Sequence, residues 1–198
     1  MRRDDALRAL KPHVAEGDIV VAVYQTLFDW MALAPRDLNY VSTGAMGQAV
    51  SHGLGLALTQ PDRRVLVLDG DGSLLMNLGA LVTVAGAGCA NLHHFVFANG
   101  TYEVNGAHPL PGPGPVDFAA MARAAGYAHA AGHDEPEAFA TALPDLLARP
   151  GPTMTALRVV PGEPHPRDYD YIHSEVARDR FRRGLRQIPP PTRRAPRP

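Results

Sequence analysis

Three oxygen-bearing side chains within Val65 to Gly100 have types and spacing that could do chemistry. Asp69 and Asp71 flank Gly70 in the run Asp69-Gly70-Asp71-Gly72-Ser73, and Asn99 closes the next apolar segment. The run follows Val65-Leu66-Val67-Leu68, which reads as a buried parallel strand, a poor place to hide a lone charge. A carboxylate set among glycines at the carboxyl end of such a strand stands where open α/β sheets bind ligands. Asp and Gly are also ordinary turn formers, so Gly-Asp-Gly alone separates a turn from a site poorly. Asn99 tips the balance, because it brings an amide oxygen to the same sheet edge. Hard oxygens of this kind suit Mg²⁺ or Ca²⁺, with phosphate oxygens and water completing the shell. Ser73 falls at an expected helix start, where backbone N–H groups favour a phosphate.

The elements that must position these groups alternate between strand and helix. Residues 4–14 carry apolar groups at helical spacing, and Ile19 to Val23 form a strand. Thr26 is the expected cap of a helix over Leu27 to Ala34, which Pro35 ends. Tyr40-Val41 lead into Ser42-Thr43-Gly44-Ala45-Met46-Gly47, and Gln48 to Leu58 read as a buried helix with Gly47, Ser51 and Gly55 at four-residue spacing. One helix over Leu74 to Gly86, a strand over Leu92 to Phe97 and a loop over Ala107 to Pro115 follow. Asp117 caps a helix over Phe118 to Ala125, Glu135 to Ala148 form another, and the last strand covers Pro152 to Val160. The expectation is a three-layer α/β architecture, an open, twisted, mostly parallel sheet with helices on both faces.

Composition limits the alternatives. No run approaches the roughly 20 apolar residues of a membrane span. The first residues carry two arginines but no apolar signal core, so a cytoplasmic protein is expected. With Cys89 alone, an internal disulfide and a multi-Cys zinc site are excluded. Arginines crowd the C-terminus without a nucleic-acid recognition motif, so a solvated helix face and a tail are expected there. His93 and His94 point to opposite faces of a strand and cannot share one metal. The organisation expected is a domain over 1–165, a charged helix over 166–187 and a disordered Pro/Arg tail over 188–198.

Gly70-Asp71-Gly72-Ser73 with Asn99 downstream resembles the metal-diphosphate motif of thiamine diphosphate enzymes. Gly44-Ala45-Met46-Gly47, Pro61-Asp62-Arg63-Arg64 and Leu74-Leu75-Met76-Asn77-Leu78-Gly79 look like sulfopyruvate and phosphonopyruvate decarboxylases. The resemblance implies the thiamine diphosphate-binding fold, with thiamine diphosphate and Mg²⁺ as cofactors. It makes Asp71, the Asn99 amide oxygen and the Thr101 carbonyl the metal ligands, with Gly70, Gly72 and Ser73 at the diphosphate. Gly44 and Ala45 would lie at the aminopyrimidine, and Met46 would sit under the bend between the cofactor rings. Tyr102, Glu103 and Gln48 are further candidates to reach cofactor or substrate.

Two departures bear on the site. Many relatives carry two successive Asn residues where this chain has Ala98-Asn99, so either Asn99 ligates after a one-residue shift or a ligand is lost. Asn99 is the favoured ligand. After the first strand stands Tyr24-Gln25-Thr26, where relatives carry glycine and small hydroxyl residues. The chain resembles only the diphosphate-binding domain, which implies a split enzyme. Its activating glutamate would come from a pyrimidine-binding, α-type partner subunit. The expected activity is decarboxylation of a 3-substituted pyruvate to an aldehyde and CO₂. A carboligase of the acetolactate synthase type and a non-catalytic scaffold subunit stay open, and no nucleic acid or membrane partner is expected.

Overall fold

The computed structural model describes residues 1–42, 46–112, 114–161 and 165–191. Six parallel strands form the central sheet: β1 (Ile19–Val23), β2 (Asn39–Ser42), β3 (Val65–Gly70), β4 (Leu92–Ala98), β7 (His129–His133) and β8 (Thr153–Arg158). Their order is β2-β1-β3-β4-β8-β7. A short antiparallel pair, β5 (Thr101–Tyr102) and β6 (His108–Pro109), lies in the loops after β4. The helices are α1 (Arg3–Leu10), α2 (Tyr24–Leu33), α3 (Ala49–Thr59), α4 (Asp71–Met76), α5 (Ala80–Ala87), α6 (Phe118–Ala125), α7 (Pro136–Ala148), α8 (Tyr169–His173) and α9 (Glu175–Gln187).

The alternation of side chains along each strand divides the core into two layers. Val21, Val65, Val67 and Val96 face α3, α5, α6 and α9 through residues such as Val50, Leu81, Phe118 and Phe181. Val20, Leu66, Leu68, Phe95 and Phe97 face α1, α2, α7 and α8 through Leu7, Trp30, Phe139 and Ile172. Each such aliphatic or aromatic side chain, fully buried, contributes about 1.5–3 kcal/mol. These layers form the expected doubly covered parallel sheet.

Several local expectations change. The second helix begins at Tyr24 directly after β1, with Val23 at its N-cap, so Thr26 lies inside the helix and caps nothing. The expected helix over 74–86 is two, α4 and α5, because Asn77 leaves helical geometry at φ −146° and ψ 53°. The close approach of α3 to the sheet is made by Gly53, where a Cβ would fall 2.3 Å from Val67 Cγ2, whereas Gly55 meets nothing within 4 Å. Of the stripe Gly47-Ser51-Gly55, Gly55 therefore makes no close approach. His129 to His133, expected as no element, form the edge strand β7, paired along β8. The C-terminal charged helix is broken at Ser174, whose hydroxyl accepts from Ala177 N–H and caps α9.

Ile188 to Pro191, expected in the disordered tail, are described and lie beside Gly17. The Arg63 guanidinium secures this end by donating to the carbonyls of Gly17, Leu185 and Ile188. Residues 192–198 of the expected tail lie outside the described residues, as do Gly44 and Ala45 of the expected cofactor loop.

Candidate active site

The carboxyl ends of β1, β3 and β4 open into a cleft. Gly70, Asp71, Gly72 and Ser73 form one wall, Asn99, Thr101, Tyr102 and Glu103 a second, and Met46 enters from the segment before α3. Nine of the residues singled out from sequence thus meet in one place. Gln48 does not line it; as the residue preceding α3, it accepts from His52 N–H through its carbonyl.

Asp71 is 2% exposed. Its Oδ1 accepts from Gly72 N–H at 2.8 Å and its Oδ2 from Gly100 N–H at 2.7 Å. Gly100 reaches back with φ 75°, a left-handed geometry that glycine adopts without penalty. Burial pushes the Asp71 carboxyl above its usual range, and these backbone donors oppose that rise. Among the described residues no Arg, Lys or His pairs with it. A buried carboxylate held only by neutral donors is short of positive charge, which a divalent cation would supply. No group of three or more His, Cys, Asp or Glu converges among the described residues. Any cation in the cleft would therefore depend on Asp71, neutral oxygens and oxygens of its ligand, which fits Mg²⁺ carried with a diphosphate.

Asp69 takes a different course. It is 1% exposed, its Oδ2 lies 3.3 Å from His94 Nε2, and His94 Nδ1 lies 3.4 Å from the Tyr127 hydroxyl. The Tyr127 phenol is pushed well above its usual range, first by burial and then by the Asp69 charge. Of the two acids flanking Gly70, Asp71 lines the cleft and Asp69 belongs to a buried network behind it. His93 is also buried, with Nδ1 3.0 Å from Thr153 Oγ1, so both histidines are structural.

The second wall is fixed from within. Asn99 Oδ1 accepts from Thr101 N–H at 2.8 Å and from its hydroxyl at 3.2 Å. Asn99 Nδ2 donates to Glu103 Oε2 at 2.8 Å. Ala98 ends β4 opposite Arg158 and Asn99 follows it; Asn99 lines this cleft with Asp71, and both Ala98 and Asn99 line a second cavity that Asp71 also borders. The Tyr102 ring covers Gly72, where a Cβ would fall 2.6 Å from the ring, so only glycine fits that contact.

Met46 is steered by Gly47. Gly47 N–H donates to Ser73 Oγ at 3.1 Å, and its carbonyl accepts from Asn77 Nδ2 at 3.2 Å. Its φ is +90°, and an added Cβ would lie 3.0 Å from Asn77 Cβ.

Arg3 and Asp29 escaped the sequence reading, and Gln25 entered it only as part of the departure Tyr24-Gln25-Thr26. Arg3 and Asp29 are 3% and 0% exposed and form an ion pair at 2.5 Å. Burial raises the Asp29 carboxyl while Arg3 holds it down, and Gln25 Nε2 donates to the same carboxylate at 2.9 Å. The available signal was an acid within the apolar run Leu27-Phe28-Asp29-Trp30, which demands a buried partner. Tyr24, at the cleft edge, has φ 48°, uncommon for a residue with a side chain.

The family described as thiamine pyrophosphate enzyme, C-terminal TPP binding domain, matches residues 20–156. The chain belongs to this family. The match runs from β1 to β8 and includes the two walls of the cleft and Met46, but not Arg3. Over 146 residues the chain is 40% identical to a phosphonopyruvate decarboxylase of Streptomyces hygroscopicus, covering 73% of this chain and 35% of that protein. Over 94 residues it is 45% identical to sulfopyruvate decarboxylase subunit beta of Methanothermobacter thermautotrophicus, covering 48% of this chain and 49% of that one. A putative thiamin diphosphate-dependent enzyme from Mycobacterium smegmatis superposes with a TM-score of 0.65 at 24% identity, covering 83% of this chain and 32% of that one, and shows the shared fold. The chain thus spans a third to a half of the curated relatives described.

Proposed function

We propose that this chain is the diphosphate-binding half of a thiamine diphosphate- and Mg²⁺-dependent 2-oxo acid decarboxylase. It would work with a second, pyrimidine-binding chain on a 3-substituted pyruvate of the sulfopyruvate or phosphonopyruvate type. The observation that carries this reading is the buried Asp71 carboxylate, lacking a cationic partner among the described residues and joined through Gly100 to the Asn99 loop. The likeness to proteins named phosphonopyruvate decarboxylase and sulfopyruvate decarboxylase subunit beta supports the substrate class and the partner.

In this reading Asp71, Asn99 Oδ1 and the Thr101 carbonyl hold Mg²⁺, while Gly70, Gly72 and Ser73 border the diphosphate. Bound there, the cofactor supplies an electron sink that makes loss of CO₂ possible. The chain's own residues orient and enclose it. Met46 would provide a large, adaptable apolar surface against the cofactor, and Gly47, fastened to Ser73 and Asn77, fixes the backbone beside it. Tyr102 covers Gly72 and would limit water beside a bound diphosphate. Gly44 and Ala45 would face the aminopyrimidine, and the proton-relaying glutamate would be the partner chain's.

Calorimetric titration of the full chain with thiamine diphosphate and Mg²⁺, with and without the candidate pyrimidine-domain chain, tests the reading. Heat of binding, together with aldehyde and CO₂ release only when both chains are present, is expected. Robust decarboxylation by this chain alone would refute the split architecture. Absence of binding in both titrations would leave a scaffold subunit, and a coupled C–C product would identify a carboligase.

A further inference from the structure

The Arg3 guanidinium is buried beside the cleft, although the proposed ligand set contains no cationic side chain. Its Nη1 donates to Glu103 Oε2 at 2.6 Å and its Nη2 to Glu103 Oε1 at 3.1 Å, while Nε is taken by Asp29. Glu103 Oε2 also accepts from Asn99 Nδ2 at 2.8 Å. An amide donates at one end and accepts at the other, and a half-turn exchanges them. With Nδ2 committed to Glu103, Oδ1 is held on the Thr101 side, where it accepts from the Thr101 amide and hydroxyl.

We propose that Arg3 is a positioning residue that sets which end of the Asn99 amide presents its oxygen, acting through Glu103. The proposal rests on the reading of Asn99 as a Mg²⁺ ligand. Thr101 holds the oxygen end of the amide; at the nitrogen end Glu103 alone is a weak orienter, because it is 20% exposed and sits on a short 3₁₀ turn. The two-pronged contact from Arg3 fixes both of its oxygens, which a lysine, with a point charge and no planar fork, would not do. Arg3 is itself anchored by Asp29, and Asp29 by Gln25, whose Oε1 accepts from Arg167 Nε at 3.1 Å. Glu103 thus has a use within the chain that requires no contact with substrate.

Loss of a group that orients a metal ligand weakens metal affinity by about 10- to 100-fold. In the full-length chain, Arg3→Met is expected to move the Asn99 side-chain ¹⁵N–¹H resonances. It is also expected to lower Mg²⁺ affinity at saturating thiamine diphosphate by about that factor, with Arg3→Lys giving a partial loss. Because Arg3→Met strands the buried Asp29, the double variant Arg3→Met/Asp29→Asn repeats the measurement with that charge removed. Unmoved Asn99 resonances in a folded variant would overturn the proposal. A fall in melting temperature with Mg²⁺ affinity intact would do the same, since it would mark Arg3 as merely structural. If the wild-type chain binds neither Mg²⁺ nor thiamine diphosphate, the functional reading fails, and the resonances alone decide whether Arg3 orients the amide.

Discussion

The Asp71 carboxylate is under two opposing influences. Burial favours its neutral form, while the N–H groups of Gly72 and Gly100 favour its anion. Asp71→Asn removes the charge a cation would balance. Ligand at 100 times its dissociation constant stabilises a binding protein by about 2.7 kcal/mol, so thiamine diphosphate with Mg²⁺ should raise the wild-type melting temperature and leave the Asp71→Asn variant unmoved. Thermal denaturation with and without both ligands checks this. Gly47→Ala is expected to cost about 1–3 kcal/mol, because alanine tolerates φ +90° poorly and its Cβ would press on Asn77. Urea denaturation gives the value, and the same variant should bind thiamine diphosphate less tightly. Asp71 and Asn99 were legible in the sequence because glycines and apolar strands frame them. Arg3 was not, since its partners Asp29 and Glu103 lie 26 and 100 residues away, beyond any local pattern.

Element boundaries show where periodicity carries information and where packing supplies the rest. β3 was legible from its apolar run Val65 to Leu68, and β4, although it carries His93 and His94, from the aromatic and β-branched run Phe95-Val96-Phe97. β7 was not, because His129-Ala130-Ala131-Gly132-His133 has no β-branched residue and is a strand only by its pairing with β8. The glycine pattern of α3 was visible, but which glycine met the sheet depended on the helix's rotation, which only the packed structure specifies. This yields a paired prediction. Gly53→Ala should destabilise by about 1–3 kcal/mol, because its Cβ would intrude on Val67. Gly55→Ala, with open space around it, should be neutral or stabilising by up to about 1 kcal/mol through helix propensity. Denaturant midpoints of the two variants decide it, and equal values would show that the Val67 contact does not govern the packing of α3.

Across the whole molecule, histidines tie stability to pH. Burial holds His52 and His133 below the ordinary histidine value of 6.5, with the Asp134 charge partly opposing this at His133. The unfolded chain protonates these rings near about pH 6.5, while the folded chain resists until lower pH. Their contribution to stability is therefore complete above the unfolded value and declines as pH falls from there toward the depressed folded values. Urea denaturation at about pH 7.5 and about pH 5.5 should show a smaller acid loss in His52→Gln/His133→Gln than in the wild type. The Arg3 and Arg167 contacts also carry a consequence for the order in which the chain assembles. Arg3 meets Glu103 across 100 residues and Arg167 meets Gln25 across 142, so these closures come after the local helices and neighbouring strand pairs. During synthesis α1 and β1 leave the ribosome well before the residues that join them to the cleft. The wall of the cleft that carries Glu103 thus depends on long-range contacts, and a nascent chain interrupted before Arg167 would lack the donor that holds Gln25.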